Sequence, residues 1–309
     1  MVKAIGIDSG TKTMDIFGFD DKDGSIIIDV AIPRDEITKS AKLVVEKLRE
    51  VQTHFGKIDA IVGPSGYGMQ LKKAQDATDE EIAEATFVTE ADIKRRLKII
   101  GLRELMLMLR EADDLNTYFT QGIIHLKTVA KYRKVNKIDM GTSDKLLSVV
   151  LAVKDQAERL KISYNKTSFI ILEVGFGYTS AMAVQNGQVV DAMAGTAGFP
   201  SFLGMGFLDS EVAYAIANVS DDFSKQLLFA GGVASFAGID TSKPLEEFVK
   251  NAKTNPQVKE GYNLMLESII KDVASLFPSV KPKEIILSRL LTSASVTKVA
   301  SAISSSVAS

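Results

Sequence analysis

The sequence predicts an α/β fold made from one domain used twice, with a cleft between the halves. Three observations predict it. Residues 3–19, KAIGIDSGTKTMDIFGF, read as an apolar strand, a turn carrying an acid, a hydroxyl, a glycine and a lysine, and a second strand. The same order returns in residues 169–196, FIILEVGFGYTSAMAVQNGQVVDAMAGT, about 165 residues later, a period that suits a duplicated domain and not a solenoid. Each copy then continues into a second turn, Asp23-Gly24 in the first and Asn186-Gly187 in the second, and a third strand.

In the first copy Asp8 closes the strand Ala4-Ile5-Gly6-Ile7, Gly10 can take the positive φ of a hairpin, and Ser9, Thr11 and Lys12 complete the tip. Backbone N–H groups that converge on a glycine turn form an anion nest, and Asp8 can hold Mg²⁺ through water beside phosphate oxygens. Alone, such a turn is most often an ordinary hairpin with a polar tip. The second copy changes the reading. There Glu173 closes the strand, Gly175 and Gly177 shape the turn, and Thr179-Ser180 follow. Two glycine hairpins, each with an acid and a hydroxyl, suit a polyphosphate held between similar halves.

Composition agrees. At 309 residues, 46% hydrophobic and 25% charged, the chain can fill two cores of ordinary domain size. A formal charge of −2 and a pI near 5.9 give no basic footprint, so no nucleic-acid partner is expected. With no cysteine, a disulfide framework, a thiolate zinc site, an iron–sulfur cluster and a cysteine nucleophile are excluded. The opening MVKAIGIDSG lacks the apolar core and cleavage site of a signal peptide, and no run has the apolar length a bilayer needs. A soluble, cytoplasmic protein with no membrane partner is expected.

In chain order, residues 35–55 read as one helix, with Asp35 as N-cap and Ile37, Ala41, Val44, Val45, Leu48 and Val51 along one face. Residues 58–62 form a central strand, and the loop Gly63-Pro64-Ser65-Gly66-Tyr67-Gly68 either lets a ligand approach the backbone or simply turns tightly. Residues 75–96 read as charged surface helices and 102–110 as an amphipathic helix, together a helical insertion over about 72–118. The stretch 118–139 gathers His125, Lys127, Lys131, Arg133, Lys134 and Lys137, either a solvated basic face or groups for substrate and transition-state charge. Asp139 ends a strand, placed to orient Mg²⁺ or act on an acceptor, whereas Asp144 suits the first turn of a helix over 146–160. Polar residues 161–168 mark the boundary between domains 1–165 and 166–309. Helices follow at 208–219 and 262–277, the second with Leu266, Ile269, Ile270, Val273 and Leu276 on one face, then a strand over 284–287 and a turn at Ser288-Arg289.

The double turn resembles the acetate kinase, sugar kinase, Hsp70 and actin superfamily. Four longer strings, VGPSGYG (62–68), GIIHLKTVAKYRKVNKIDMGTSDK (122–145), GTAGFPSFLG (195–204) and KEIILSR (283–289), resemble an archaeal family labelled predicted butyrate kinase, so the resemblance covers most of the chain. It implies duplicated ribonuclease-H-like domains of the actin-like ATPase type with an inter-domain cleft; as a departure from that pattern, the second domain is expected to be shortened at its end. It also implies an ATP-dependent phosphotransferase that uses Mg²⁺ and a small-molecule acceptor, with a carboxylate as one class. On this resemblance Asp8, Ser9, Gly10, Thr11 and Lys12 form a first phosphate turn, and Glu173, Gly175, Gly177 and Thr179 a second. Gly195 and Thr196 open a loop over the phosphates, and Ser288 and Arg289 stand at the adenosine turn. Asp8 and Asp139 are the Mg²⁺ candidates, and Asp139, Arg133 and His125 the catalytic ones, Arg133 for transition-state charge. The chain departs from the pattern at Glu173, where the superfamily usually has Asp. It also lacks paired glycines at 288–289, and DSGT stands where acetate and butyrate kinases carry an Asn and a run of serines. These departures keep open a degenerate, non-catalytic nucleotide-binding or scaffold member. The absence of cysteine excludes the cluster-bearing dehydratase activators of the same superfamily. A homo-oligomer is compatible with the sequence, which does not name the acceptor.

Overall fold

The computed structural model describes residues 1–95, 100–219, 225–243 and 245–289. The chain divides into two compact units, Met1–His125 with Thr142–Leu146, and Leu126–Gly141 with Leu147–Ser309.

The first unit opens with the antiparallel strands β1 (Lys3–Ser9), β2 (Thr13–Asp20) and β3 (Ile26–Pro33). Alternation along β1 and β2 sends Ile5, Ile7, Met14 and Ile16 into the core and leaves Phe17 and Phe19 exposed on the other face. Where the sequence predicts one helix there are two, α1 (Arg34–Lys39) and α2 (Lys42–Phe55), because Ser40 is extended at φ −156° and interrupts the helical bonds. Pro33, not Asp35, is the N-cap, and Asp35 lies in the first turn. Val44, Val45, Leu48 and Val51 of α2 are buried, as their spacing predicts. Then come β4 (Ala60–Val62), β5 (Lys72–Lys73), α3 (Asp79–Thr86), α4 (Glu90–Lys94), α5 (Ile100–Glu111) and β6 (Thr117–Phe119). A capping box between Thr78 and Glu81 starts α3. Ile82 is wholly buried, so α3 packs into the core and is not only a surface helix, while Leu105 and Met106 are wholly buried on α5, as its amphipathic pattern predicts. The six strands lie in the order β3-β2-β1-β4-β6-β5.

Helix α6 (Ser143–Leu160) leads to β7 (Ser168–Val174), buried at every position, then β8 (Thr179–Gln185) and β9 (Gln188–Ala194). Asn186 and Gly187 both take positive φ, 53° and 74°, the requirement of a type I′ hairpin whose twist matches its strands. Among the described residues, the α-helices α7 (Ser210–Val219), α8 (Val233–Phe236), α9 (Leu245–Asn251) and α10 (Pro256–Ala274) follow before β10 (Ile285–Arg289). Asn255 caps α10 by accepting from the Gln257 and Val258 N–H groups, with Pro256 in the first turn. One face of α10, through Tyr262, Met265, Ile269 and Val273, closes the core over Ile170, Leu172, Ala181 and Ala183. Full burial of such aliphatic side chains contributes roughly 1.5–3 kcal/mol each. The sheet order is β10-β7-β8-β9, with β10 parallel to β7, which repeats the β4-β1-β2-β3 order of the first unit. Among the described residues no helix is long and apolar enough to cross a membrane.

Candidate functional site

In the first unit β1, β4 and β6 run parallel, in register at Gly6 with Val62 and at Val62 with Tyr118. Their carboxyl ends therefore share one edge, the place where open α/β sheets take ligands. The turn after β1 stands there, with Asp8, Ser9 and Gly10 half-buried and Thr11 and Lys12 exposed. Gly10 does not use positive φ as the hairpin reading expects. Space is what constrains it, since a Cβ would stand 3.1 Å from the Thr13 carbonyl oxygen. Beneath the turn lies Arg34, only 7% exposed, whose N–H donates to the Lys12 carbonyl at 3.0 Å. Burial pulls its guanidinium below the usual arginine range, opposed by the charge of Asp8, and Nη1 has no hydrogen-bond partner.

Beside it the loop after β4 is tied to the chain after β6. Ser65 is wholly buried, its hydroxyl donating to the Gly63 carbonyl at 3.1 Å and accepting the Thr120 N–H at 3.0 Å. The Met69 N–H donates to the Thr120 carbonyl at 2.9 Å. His125 lies in the short turn Ile123–His125, with its N–H on the Gly122 carbonyl at 3.1 Å. Asp144 sits in the first turn of α6, and against the effect of burial the Lys145 ammonium and the Thr142 hydroxyl hold its carboxyl below the ordinary range.

In the second unit β7, β9 and β10 run the same way, so the turn after β7, the loop after β9 and the end of β10 share an edge. Glu173 is buried and accepts from the Ser148 hydroxyl at 3.2 Å. Gly175 repeats Gly10: a Cβ would stand 2.8 Å from the Tyr178 carbonyl oxygen, and the Gly175 N–H donates to that carbonyl at 3.0 Å. The Gly177 carbonyl accepts the Gly204 N–H at 2.9 Å, and the buried Thr179 donates its N–H to the Ser201 hydroxyl at 2.8 Å. Ser288 and Arg289 close β10 and do not form a turn after it. Strand pairing with β7 runs on past a bulge and sets Arg289 opposite Glu173. The chain beyond Arg289, which the sequence reading places after the adenosine turn, lies outside the described residues.

Asp139 and Arg133 belong to this second unit and His125 to the first. Asp139 is 5% exposed, and both its oxygens accept backbone N–H groups, Gly141 at 2.8 Å and Thr196 at 3.1 Å. Arg133 donates from Nη1 to the Val190 carbonyl at 2.6 Å, and its Nε lies 3.5 Å from Asp191, which also accepts the Ser279 hydroxyl. The structure adds a residue that the sequence reading passes over. Asp272 of α10 is wholly buried and accepts the Phe199 N–H through Oδ1 at 2.9 Å, while Oδ2 has no partner. Burial pushes its carboxyl up to about 7, with the Phe199 N–H acting the other way. The available signal was its spacing, three residues after Ile269 and four before Leu276, an acid on the apolar face of a helix.

A family model described as "Protein of unknown function (DUF1464)" matches residues 6–306. No curated protein matches the sequence. Among solved structures, the chain is similar to acetate kinase from Entamoeba histolytica, at TM-score 0.65 and 13% identity over 99% of this chain and 86% of that one. It is also similar to a propionate kinase from Francisella tularensis subsp. tularensis SCHU S4, at TM-score 0.59 and 16% identity over 92% and 83%. A third is Porphyromonas gingivalis acetate kinase, at TM-score 0.57 and 16% identity over 91% and 80%. At such identities the likeness shows the fold alone, a kinase-like fold of the actin-like ATPase type.

Proposed function

The chain belongs to the DUF1464 family, and from its actin-like ATPase fold and its paired turns we propose that it is an ATP-dependent phosphotransferase acting on a small acceptor with Mg²⁺. The equivalence of the two turns carries the reading. Asp8 and Glu173 each precede the last residue of their strand, and Gly10 and Gly175 each press on the carbonyl three residues ahead. Both turns occupy the same place in the four-strand order that the two sheets share. Each turn offers a single carboxylate, and the described residues hold no group of three or more acids or histidines able to cage a metal. That donor set fits Mg²⁺, which keeps several waters and relies on phosphate oxygens more than on an all-protein shell. Bound at Asp8, the ion would neutralise phosphate charge. Lys12 and the N–H groups of the first turn, and in the second turn the N–H groups other than those of Gly175 and Thr179, would orient phosphate oxygens, and positioning of this kind is most of what phosphoryl transfer asks of a protein.

A short carboxylate is the acceptor class we favour, supported by the butyrate-kinase-like strings and by the acetate and propionate kinases that share the fold. A second reading, a nucleotide-binding protein without transfer, draws on one observation: Asp139 and Arg133 are both engaged by backbone groups. Titration with Mg·ATP, followed by ADP release across acetate, propionate, butyrate and a set of sugars, tests both. Acceptor-dependent release supports transfer, and binding without release selects the second reading. No binding at millimolar Mg·ATP ends both.

A further inference from the structure

We propose that Asp272 is a positioning residue: from α10 it anchors the loop 195–199 at Phe199, and through that loop it sets the second-unit turn that carries Thr179. The inference rests on the phosphate-site reading above for its consequence but not for its geometry. The loop is held at both ends by buried carboxylates from different elements, Asp139 on the Thr196 N–H at 3.1 Å and Asp272 on the Phe199 N–H at 2.9 Å. The approach at Gly198 is close, since a Cβ there would stand 3.2 Å from Asp272 Oδ1. Further contacts converge on the same point. The Phe207 N–H donates to the Gly198 carbonyl at 2.8 Å, and the Phe199 ring meets Phe207 edge-on at 5.1 Å.

From Phe199 the chain runs through Pro200 to Ser201, whose hydroxyl accepts the Thr179 N–H at 2.8 Å. A shift at Phe199 therefore reaches the turn without any contact between Asp272 and a ligand. A purely structural role accounts poorly for this residue. Burying a carboxyl with one oxygen unpartnered opposes folding, and an apolar residue at this position of α10 would join the surrounding core. What an apolar residue cannot do is accept the Phe199 N–H.

The test compares Asp272→Ala with Asp272→Asn, whose amide oxygen can accept the same N–H. Amide exchange at Phe199 is measured in the protein without ligand, and Mg·ATP affinity by calorimetry. In the alanine variant, exchange at Phe199 is expected to quicken at least tenfold and affinity to fall about tenfold. The asparagine variant should stay within about threefold of the parent in both. Should the alanine variant not fold, Asp272→Ser, too short to reach Phe199, takes its place. Exchange as slow as the parent's overturns the anchor. Fast exchange with unchanged affinity overturns its link to the turn. A parent that binds no Mg·ATP sinks the phosphate-site reading and that link with it, while exchange alone still decides the anchor.

Discussion

Asp139 Oδ2 lies 1.7 Å from the point where a side chain on residue 195 would begin, so Gly195 is what allows this carboxylate to cap the loop after β9. Gly195 also takes φ of +59°, a backbone region that disfavours any L side chain. Gly195→Ala should lose roughly 1–3 kcal/mol to backbone strain, and more to displacement of Asp139. Because part of that loss is the collision, Asp139→Ala combined with Gly195→Ala should be less damaging than the two single losses added, by roughly 0.5–3 kcal/mol. Urea denaturation of the four proteins measures the coupling. Additive losses would mean the two residues do not meet.

Asp8 and Arg34 give a second cycle. The charge of Asp8 favours the buried Arg34 guanidinium, so Asp8→Ala, which removes that compensation from a half-buried position, should cost about 1–3 kcal/mol, the usual penalty for leaving a buried polar group uncompensated. Adding Arg34→Met removes the stranded guanidinium and should restore much of the melting temperature. Mg·ATP affinity should stay low in both, because the carboxylate is still missing. An Asp8→Ala protein with the parent's Mg·ATP affinity would take Asp8 out of the site.

Arg133 was expected to meet transition-state charge, and the structure ties it to β9 through Val190 and Asp191. Arg133→Ala should therefore lower stability by about 1 kcal/mol, since it leaves a partly buried carbonyl and carboxylate short of a donor. In folded protein, nucleotide affinity should be unchanged. A loss of turnover beyond a hundredfold with stability intact would assign Arg133 to the transition-state charge instead.

The strand pattern was legible because alternation and turn chemistry are local. β1 to β3, β7 to β9 and the Asn186-Gly187 hairpin can be read from a few residues at a time. The core face of α10 was legible for the same reason. What was not legible depends on partners far away in sequence. Arg34 lies just before the helix predicted over 35–55 and carries no sequence signal of its own, and only the fold shows that Asp8 lies within range of its buried guanidinium. Asp272 is polar on an apolar face, and its partner Phe199 is 73 residues away. The break at Ser40 escaped because the apolar spacing of 37–51 continues across it, and spacing reports faces, not hydrogen bonds. Ser288 and Arg289 were assigned by order of elements, whereas pairing with β7 extends the strand through both.

The buried Asp272 also fixes a sign for the pH dependence of stability. Its carboxyl is pushed up to about 7 in the folded protein from an ordinary 3.8. Between those values the folded protein keeps a proton that the unfolded chain has released, so unfolding is favoured increasingly as pH rises through the window and levels off above it. A shift of this size corresponds to roughly 4 kcal/mol at most. Asp144 and Glu284 act in the opposite sense. Against burial, Lys145 and Thr142 hold Asp144 low, and Arg159 and Gln156 hold Glu284 low, so stability from these two is complete above their ordinary values of 3.8 and 4.5 and is lost on acidification. Stability should accordingly rise up to about pH 4–5 and decline toward pH 7. Asp272→Asn cannot ionise, so it should keep the acid limb and lose the decline, becoming more stable than the parent at pH 8. Urea denaturation in half-unit steps from pH 4.5 to 8 reads the difference, and a parent profile that is flat across that range, or an asparagine variant with the same decline, would remove Asp272 as its source.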